Sequence, residues 1–168
     1  MKKQAENGST SVAAEFINFP IEATEVADGI IRVTGIGNIY MVPTNEGNVL
    51  FDTGLVMQVP KQIAAMNNAV PDNKLTHIIL SHSHADHIGG VKYWKEDGVE
   101  IIAHDQFTEE QRYLKALEPY LHDRNRLLFP FMPEEPPTAE MIAYGGITPT
   151  LKVNEGDSYR LELGGKVM

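Results

Sequence analysis

Residues His82-Ser83-His84-Ala85-Asp86-His87 put three imidazoles and a carboxylate into one short run. Shuffling a chain of this composition would give His-x-His-x-Asp-His in roughly three sequences per ten thousand, so the run calls for a chemical reason. Neutral imidazole nitrogen and carboxylate oxygen are ligands that zinc accepts, at Zn–N distances of about 2.0–2.1 Å. Zinc can lower the pKa of a bound water from about 15.7 to about 7. At about 1.36 kcal/mol per unit, that favours hydroxide by roughly 12 kcal/mol. General-base catalysis by one histidine gives only about 10²–10⁴-fold. The chemistry that best suits this set is therefore metal-assisted hydrolysis. A solvated loop is the ordinary setting for a single histidine, but four ligand-type residues in so short a run reverse that reading.

Positioning these groups requires a strand, a turn and a helix. Leu75-Thr76-His77-Ile78-Ile79-Leu80 is apolar and β-branched, the pattern of a buried strand. His82 and His84 are two apart, so extended backbone at the strand's end points both to one side. Asp86 and His87 are adjacent and need the turn into the following helix to bring them together. Gly89 and Gly90 permit the tight backbone that such a turn requires. His82 and His84 could then serve one metal while Asp86 and His87 serve another, about 3.5–4 Å away in two-metal hydrolases. His77 lies within the strand pattern and reads as a packed or edge side chain. His104 closes the run Ile101-Ile102-Ala103, at a second strand's end, and is a candidate cleft residue. His122 falls in a charged helical stretch and is expected to be exposed.

The segment Ile79 to Val91 resembles the signature loop of the metallo-β-lactamase superfamily. So do Gly37-Asn38-Ile39-Tyr40-Met41-Val42 and Asn48-Val49-Leu50-Phe51-Asp52-Thr53-Gly54, which are similar to that family's opening strands and Asp-Thr-Gly turn. The likeness runs from about Ile30 to the last residue. It implies that His82 and His84 bind a first zinc ion and that Asp86 and His87 bind a second. It also implies that Asp86 orients or deprotonates the attacking water, and that Asp52 supports the loop from behind the ligands. Without the resemblance, Asp52 would read as a turn residue before Gly54. The wider pattern, with Ile101-Ile102-Ala103-His104 and a charged helix ending near Arg124-Asn125-Arg126, resembles a subgroup related to alkyl sulfatases.

The implied fold class is α/β (α+β), a four-layer αββα sandwich. The chain is expected to hold its N-terminal half and the start of the second. Family members carry a third histidine in a Pro-Gly-His-Thr-type turn after a Leu-Gly-Gly stretch, then a bridging carboxylate and a last histidine. Here Leu163-Gly164-Gly165 is followed only by Lys166-Val167-Met168. The expectation is a truncated or partial zinc hydrolase acting on an ester-type or related bond of a small molecule, with low or no activity alone. A non-catalytic metal-binding or interaction fragment is the alternative. A sheet face left uncovered would invite self-association.

Composition sets further bounds. Fourteen basic against 23 acidic residues give a net charge of −9, with no basic run for a phosphate backbone, so nucleic acid is not an expected partner. With no cysteine, disulfides and thiolate ligands are excluded, which suits the cytoplasm. No apolar run reaches the roughly 18 residues that span a bilayer, and the first residues lack the apolar centre of a signal peptide.

Residues 1–14 read as a flexible leader and 15–168 as one incomplete domain. Strands are expected near 30–34, 38–43, 48–52, 75–81 and 99–103. Helices are expected near 58–69 and 105–128, with Pro119 breaking or kinking the second. In that helix Phe107, Tyr113, Leu114, Leu117, Tyr120 and Leu121 have near-helical spacing and should face the core, with Tyr113 and Tyr120 as secondary candidates for substrate contact. Arg112, Arg124 and Arg126 read as a solvated face, the latter two as candidate anion ligands. Phe129 to Pro137 is too proline-rich for a helix. Residues 150–167 should form one or two strands with a turn at Asn154-Glu155-Gly156-Asp157.

Overall fold

The computed structural model describes residues 20–72, 74–129, 132, 134–135 and 146–168. The expected leader, and most of the proline-rich stretch, lie outside these residues. The elements are β1 (Ala23–Ala27), β2 (Ile30–Val33), β3 (Ile39–Val42), β4 (Asn48–Phe51), α1 (Val59–Ala69), β5 (Leu75–Ile79), α2 (Ala85–Ile88), α3 (Val91–Trp94), β6 (Glu100–His104), α4 (Phe107–Leu128), β7 (Leu151–Val153), β8 (Glu162–Leu163) and β9 (Lys166–Val167). The first seven strands lie in sequence order in one sheet, and β8 and β9 form a separate hairpin. β1 to β4 run antiparallel. From β4 to β7 every pairing is parallel, as helical crossovers require. β1 was not anticipated. Its sequence Ala-Thr-Glu-Val-Ala has one short apolar end and exposed positions beyond it, so an edge strand formed by pairing alone leaves no hydrophobic period to read.

Alternation along the strands divides the apolar residues between two faces. Val33, Ile39, Met41, Leu50, Ile78 and Ile101 face a core closed by Val59 and Met66 of α1, Ile88 of α2, Trp94 of α3 and Phe107 of α4. Val42 and Val49 point the other way, with Phe51 and Ile79 beside them, and meet Leu161, Leu163 and Met168. The face expected to lie open is thus partly covered by the C-terminal hairpin, which is closed by reciprocal bonds of 2.9 Å between Leu161 and Met168.

Helix α4 corrects three expectations. It runs unbroken through Pro119, whose ring sits on the exposed side where the freed Lys115 carbonyl can take water instead. Phe107 is buried and Leu114 half-buried against the core, but Tyr113, Leu117 and Tyr120 are 55%, 50% and 66% exposed. His122, expected outside, is only 2% exposed. The helix therefore turns the face of Phe107, Gln111, Leu114, Glu118 and His122 inward. Its phase follows from the two-residue link between β6 and α4, which inserts Phe107 into the core and fixes the rotation of everything after it. The Gln106 amide donates to His104 Nδ1 at 3.2 Å within that link. Burial pushes the Glu118 carboxyl up.

Candidate metal centre

The parallel strands β4, β5 and β6 end at one edge of the sheet, where open α/β sheets generally carry their sites. Their carboxyl ends deliver Asp52, then Ser81 to His87, then His104. The strand ends are tied together: Asp52 donates its amide to the Ile79 carbonyl, and Leu80 to that of Ile102, both at 2.9 Å. Asp52 adopts φ +57°, a left-handed conformation that aspartate tolerates better than most residues. That conformation turns the chain sharply before Thr53.

The Asp52 carboxylate organises the loop. Its Oδ1 accepts from the Ser81 amide at 2.8 Å. Its Oδ2 accepts from the Ser81 hydroxyl at 2.8 Å and from His87 Nδ1 at 2.7 Å. With its proton committed to Asp52, the Ser81 hydroxyl can only accept from His82 Nδ1, which lies 2.9 Å away. This network assigns the Nδ1–H tautomer to His82 and turns the Nε2 atoms of both rings away from Asp52. His82 Nε2 then comes within 3.1 Å of His84 Nδ1, and His87 Nε2 within 3.3 Å of Asp86 Oδ2. The His82 ring centroid is 4.1 Å from that of His87 and 4.7 Å from that of His84.

The charges follow from these contacts. Hydrogen bonds that His87 donates to Asp52 and then to Asp86 raise it to about 9. The bond to His87 holds the Asp86 carboxyl below its ordinary range. Burial, followed by the neighbouring His87 and His84, pushes His82 down. Without metal, the chain thus favours one imidazolium between two carboxylates, beside a histidine pushed towards its neutral form.

Backbone contacts fix the helical turn. Thr53 donates to the His87 carbonyl through its amide at 2.7 Å and its hydroxyl at 2.9 Å. It accepts from the Gly90 amide at 3.1 Å, and its carbonyl accepts from Trp94 Nε1 at 3.2 Å. A Cβ on Gly90 would collide with the Thr53 carbonyl, and one on Gly37 with that of Asp86. Gln62, fully buried on α1, braces Gly37 by donating to its carbonyl at 2.9 Å. Sequence reasoning did not pick out Ser81, Thr53, Trp94 or Gln62. Adjacency to the histidine run and to Asp52 was a signal for Ser81 and Thr53. Trp94 and Gln62 offered none, because their roles depend on tertiary approach.

The structure brings Asp52, His82, His84, Asp86 and His87 into one site. His104 stands at the same sheet edge, nearly half exposed, with its Nδ1 accepting from the Gln106 amide and lying 3.0 Å from Asp105 Oδ1. His77 is apart from the site, 3.6 Å from Glu100 on the neighbouring strand. The donors suit zinc in kind, and His87 is backed by a carboxylate as metal-ligating histidines usually are. In number they come as two pairs, His82 with His84 and Asp86 with His87. Among the described residues, no group of three or more His, Cys, Asp or Glu is placed to hold a metal. Catalytic zinc sites usually take three protein ligands.

The sequence description of the metallo-beta-lactamase superfamily matches residues 32–149. The chain is 34% identical over 62 residues to the Bacillus cereus metallo-beta-lactamase type 2, covering 37% of this chain and 24% of that protein. It is 32% identical over 85 residues to the lactamase-like protein vrtG of Penicillium aethiopicum, covering 51% and 25%. The crystal structure of BJP-1, a subclass B3 metallo-beta-lactamase of Bradyrhizobium japonicum, superposes with TM-score 0.60 at 25% identity, over 93% of this chain and 53% of that one. A double mutant of the sec-alkyl sulfatase PisA1 superposes with TM-score 0.65 at 20% identity, over 88% and 26%. The chain therefore spans about half of the B3 enzyme and about a quarter of the curated relatives. With the match running through the sheet, the Asp52 turn and the histidine loop, the chain belongs to the metallo-β-lactamase superfamily.

Proposed function

We propose that this chain carries part of the centre of a zinc-dependent hydrolase, which cleaves an ester-type or related bond in a small molecule. The observation that carries this reading is the Asp52 carboxylate, which sets His87 directly and His82 through Ser81 so that both Nε2 atoms point away from it, towards Asp86 and His84. His82 and His84 would hold one zinc ion, and Asp86 and His87 a second. Zinc there would act as a Lewis acid and lower the pKa of water. The chain's own part is to fix tautomers, to hold the helical turn through the contacts of Thr53 with the His87 carbonyl and the Gly90 amide, and to keep Asp86 ionised. A carboxylate so held can orient water and accept its proton.

The arrangement of donors in two pairs favours one second reading, a metal-binding or interaction fragment without turnover. Zinc titration followed by hydrolysis assays over sulfate, phosphate, lactone, β-lactam and thioester substrates separates the two. Sulfate esters come first, given the sequence resemblance to the sulfatase-related subgroup. Turnover that requires zinc and is lost in H82A or H87A supports the enzyme. Weak zinc uptake with no turnover supports the fragment. Failure to bind zinc at all ends the enzyme reading and leaves only an interaction fragment.

A further inference from the structure

The outward face of α4 is a feature that the site does not use. At about 100° per residue, Glu110, Tyr113, Leu117, Tyr120, Arg124 and Leu127 fall on one stripe, opposite the side that packs on the sheet. All of them are exposed, Leu127 at 85%. Large apolar side chains in one stripe are unusual on a solvated helix. The stripe also has polarity. Near its start it carries Glu110, beside a Glu109 already paired with Arg112, and towards its end it carries Arg124. The midpoint between Glu110 and Arg124 is Leu117, and Tyr113 and Tyr120 lie to either side of it.

A stripe with those properties is self-complementary under a two-fold axis. An antiparallel second α4 centred on Leu117 sets Glu110 against Arg124 of the other copy, twice. It also packs Tyr113 near the other copy's Tyr120 and opposes the two helix dipoles. A partner carrying charge of a single sign would match only one end of the stripe. We propose that α4 is a homodimerisation surface and that its occupant is a second copy of this chain in antiparallel orientation. At about 1.5 Å per residue the helix is roughly 33 Å long, so the contact sits near the small end of specific interfaces and should form a weak, reversible dimer. This holds whether or not the chain hydrolyses anything.

Sedimentation velocity on the full chain, with rising concentration, tests the idea. The expected result is a monomer–dimer equilibrium that Leu117→Glu weakens by about tenfold or more. Glu110→Arg and Arg124→Glu should each weaken it, and the two together should restore it, because the axis pairs these positions across the copies. An independent readout uses the absence of native cysteine. Leu117→Cys should oxidise to a disulfide-linked dimer, which needs Cα atoms within about 7 Å, whereas Lys95→Cys, exposed elsewhere, should not. A chain that stays monomeric and gives no Leu117→Cys cross-link overturns the proposal. So does association indifferent to Leu117→Glu and to the charge swap, which would assign contact to the apolar sheet face instead. Circular dichroism on every variant confirms the fold, since all the substituted positions are solvent-facing.

Discussion

The loop between β5 and α2 and the inward face of α4 both place polar side chains against a core, with opposite outcomes. In the loop, the Asp52 carboxylate takes three hydrogen bonds, and the rings of His82, His84 and His87 are engaged by one another, by Ser81 and by carboxylates. Ser83 is the exception there, its hydroxyl buried without a partner. On α4, Gln111 Nε2 and His122 Nδ1 are likewise buried and, among the described residues, unpartnered. Polar burial in the loop is organised by a carboxylate chosen for the purpose. On the helix it is a by-product of the rotation that Phe107 imposes, and its cost is carried by the apolar contacts around it.

If the loop is a rigid unit, the largest effect should come from its backbone contacts. Gly90→Ala would drive a Cβ into the Thr53 carbonyl, a backbone atom that cannot step aside without losing its bond to Trp94. The expected destabilisation is about 1–3 kcal/mol or more in urea unfolding. The exposed Lys115→Ala on α4 should stay within about 0.5 kcal/mol. Equal stability of the two variants would mean that the turn yields, and that the loop is no more constrained than the helix surface.

Next in size is Asp52→Asn in the metal-free chain, at roughly 1–3 kcal/mol for loss of a charged acceptor. His87 supplies the sign. Its folded pKa of about 9 lies above the ordinary 6.5. Its contribution to stability is therefore complete below about pH 6.5 and is lost as pH rises through about 9. The stability gap between the native chain and Asp52→Asn should be widest on the acid side and should narrow towards alkaline pH. NMR titration should show the His87 midpoint fall in the variant. An unchanged midpoint would deny Asp52 its hold on the ring. Zinc affinity should fall about 10–100-fold as well, the usual cost of removing a group that orients a ligand.

This contrast explains what could be read from sequence. The histidine run and Asp52 were legible because their geometry is mostly local: a strand end, a two-residue offset and a glycine turn fix where the side chains go. Strand positions were legible for the same reason, since Met41 and Val42, or Leu50 and Val49, must face opposite sides of a sheet. Helix rotation is not local. Phe107, Leu114 and Leu121 on one side and Tyr113, Leu117 and Tyr120 on another both satisfy a helical period, and only the short connection from β6 selects between them. Trp94 and Gln62 act on acceptors 41 and 25 residues away, Thr53 and Gly37, so no spacing could announce them.

The smallest predicted effect is also the sharpest test of the contrast. Among the described residues, His122 is buried with Nδ1 unpartnered, and its Nε2 makes only a long 3.4 Å contact with the Glu134 carbonyl. His122→Leu would remove an unsatisfied polar ring, add apolar contact at similar volume and give up one weak bond. These terms nearly cancel, so urea unfolding should change by less than about 1 kcal/mol in either direction. His87→Leu, with two carboxylate partners left uncompensated, should cost clearly more. A loss above about 2 kcal/mol for His122→Leu would mean that its ring is held by a strong partner after all. The inward face of α4 would then be an organised polar site like the loop, rather than a consequence of where Phe107 enters the core.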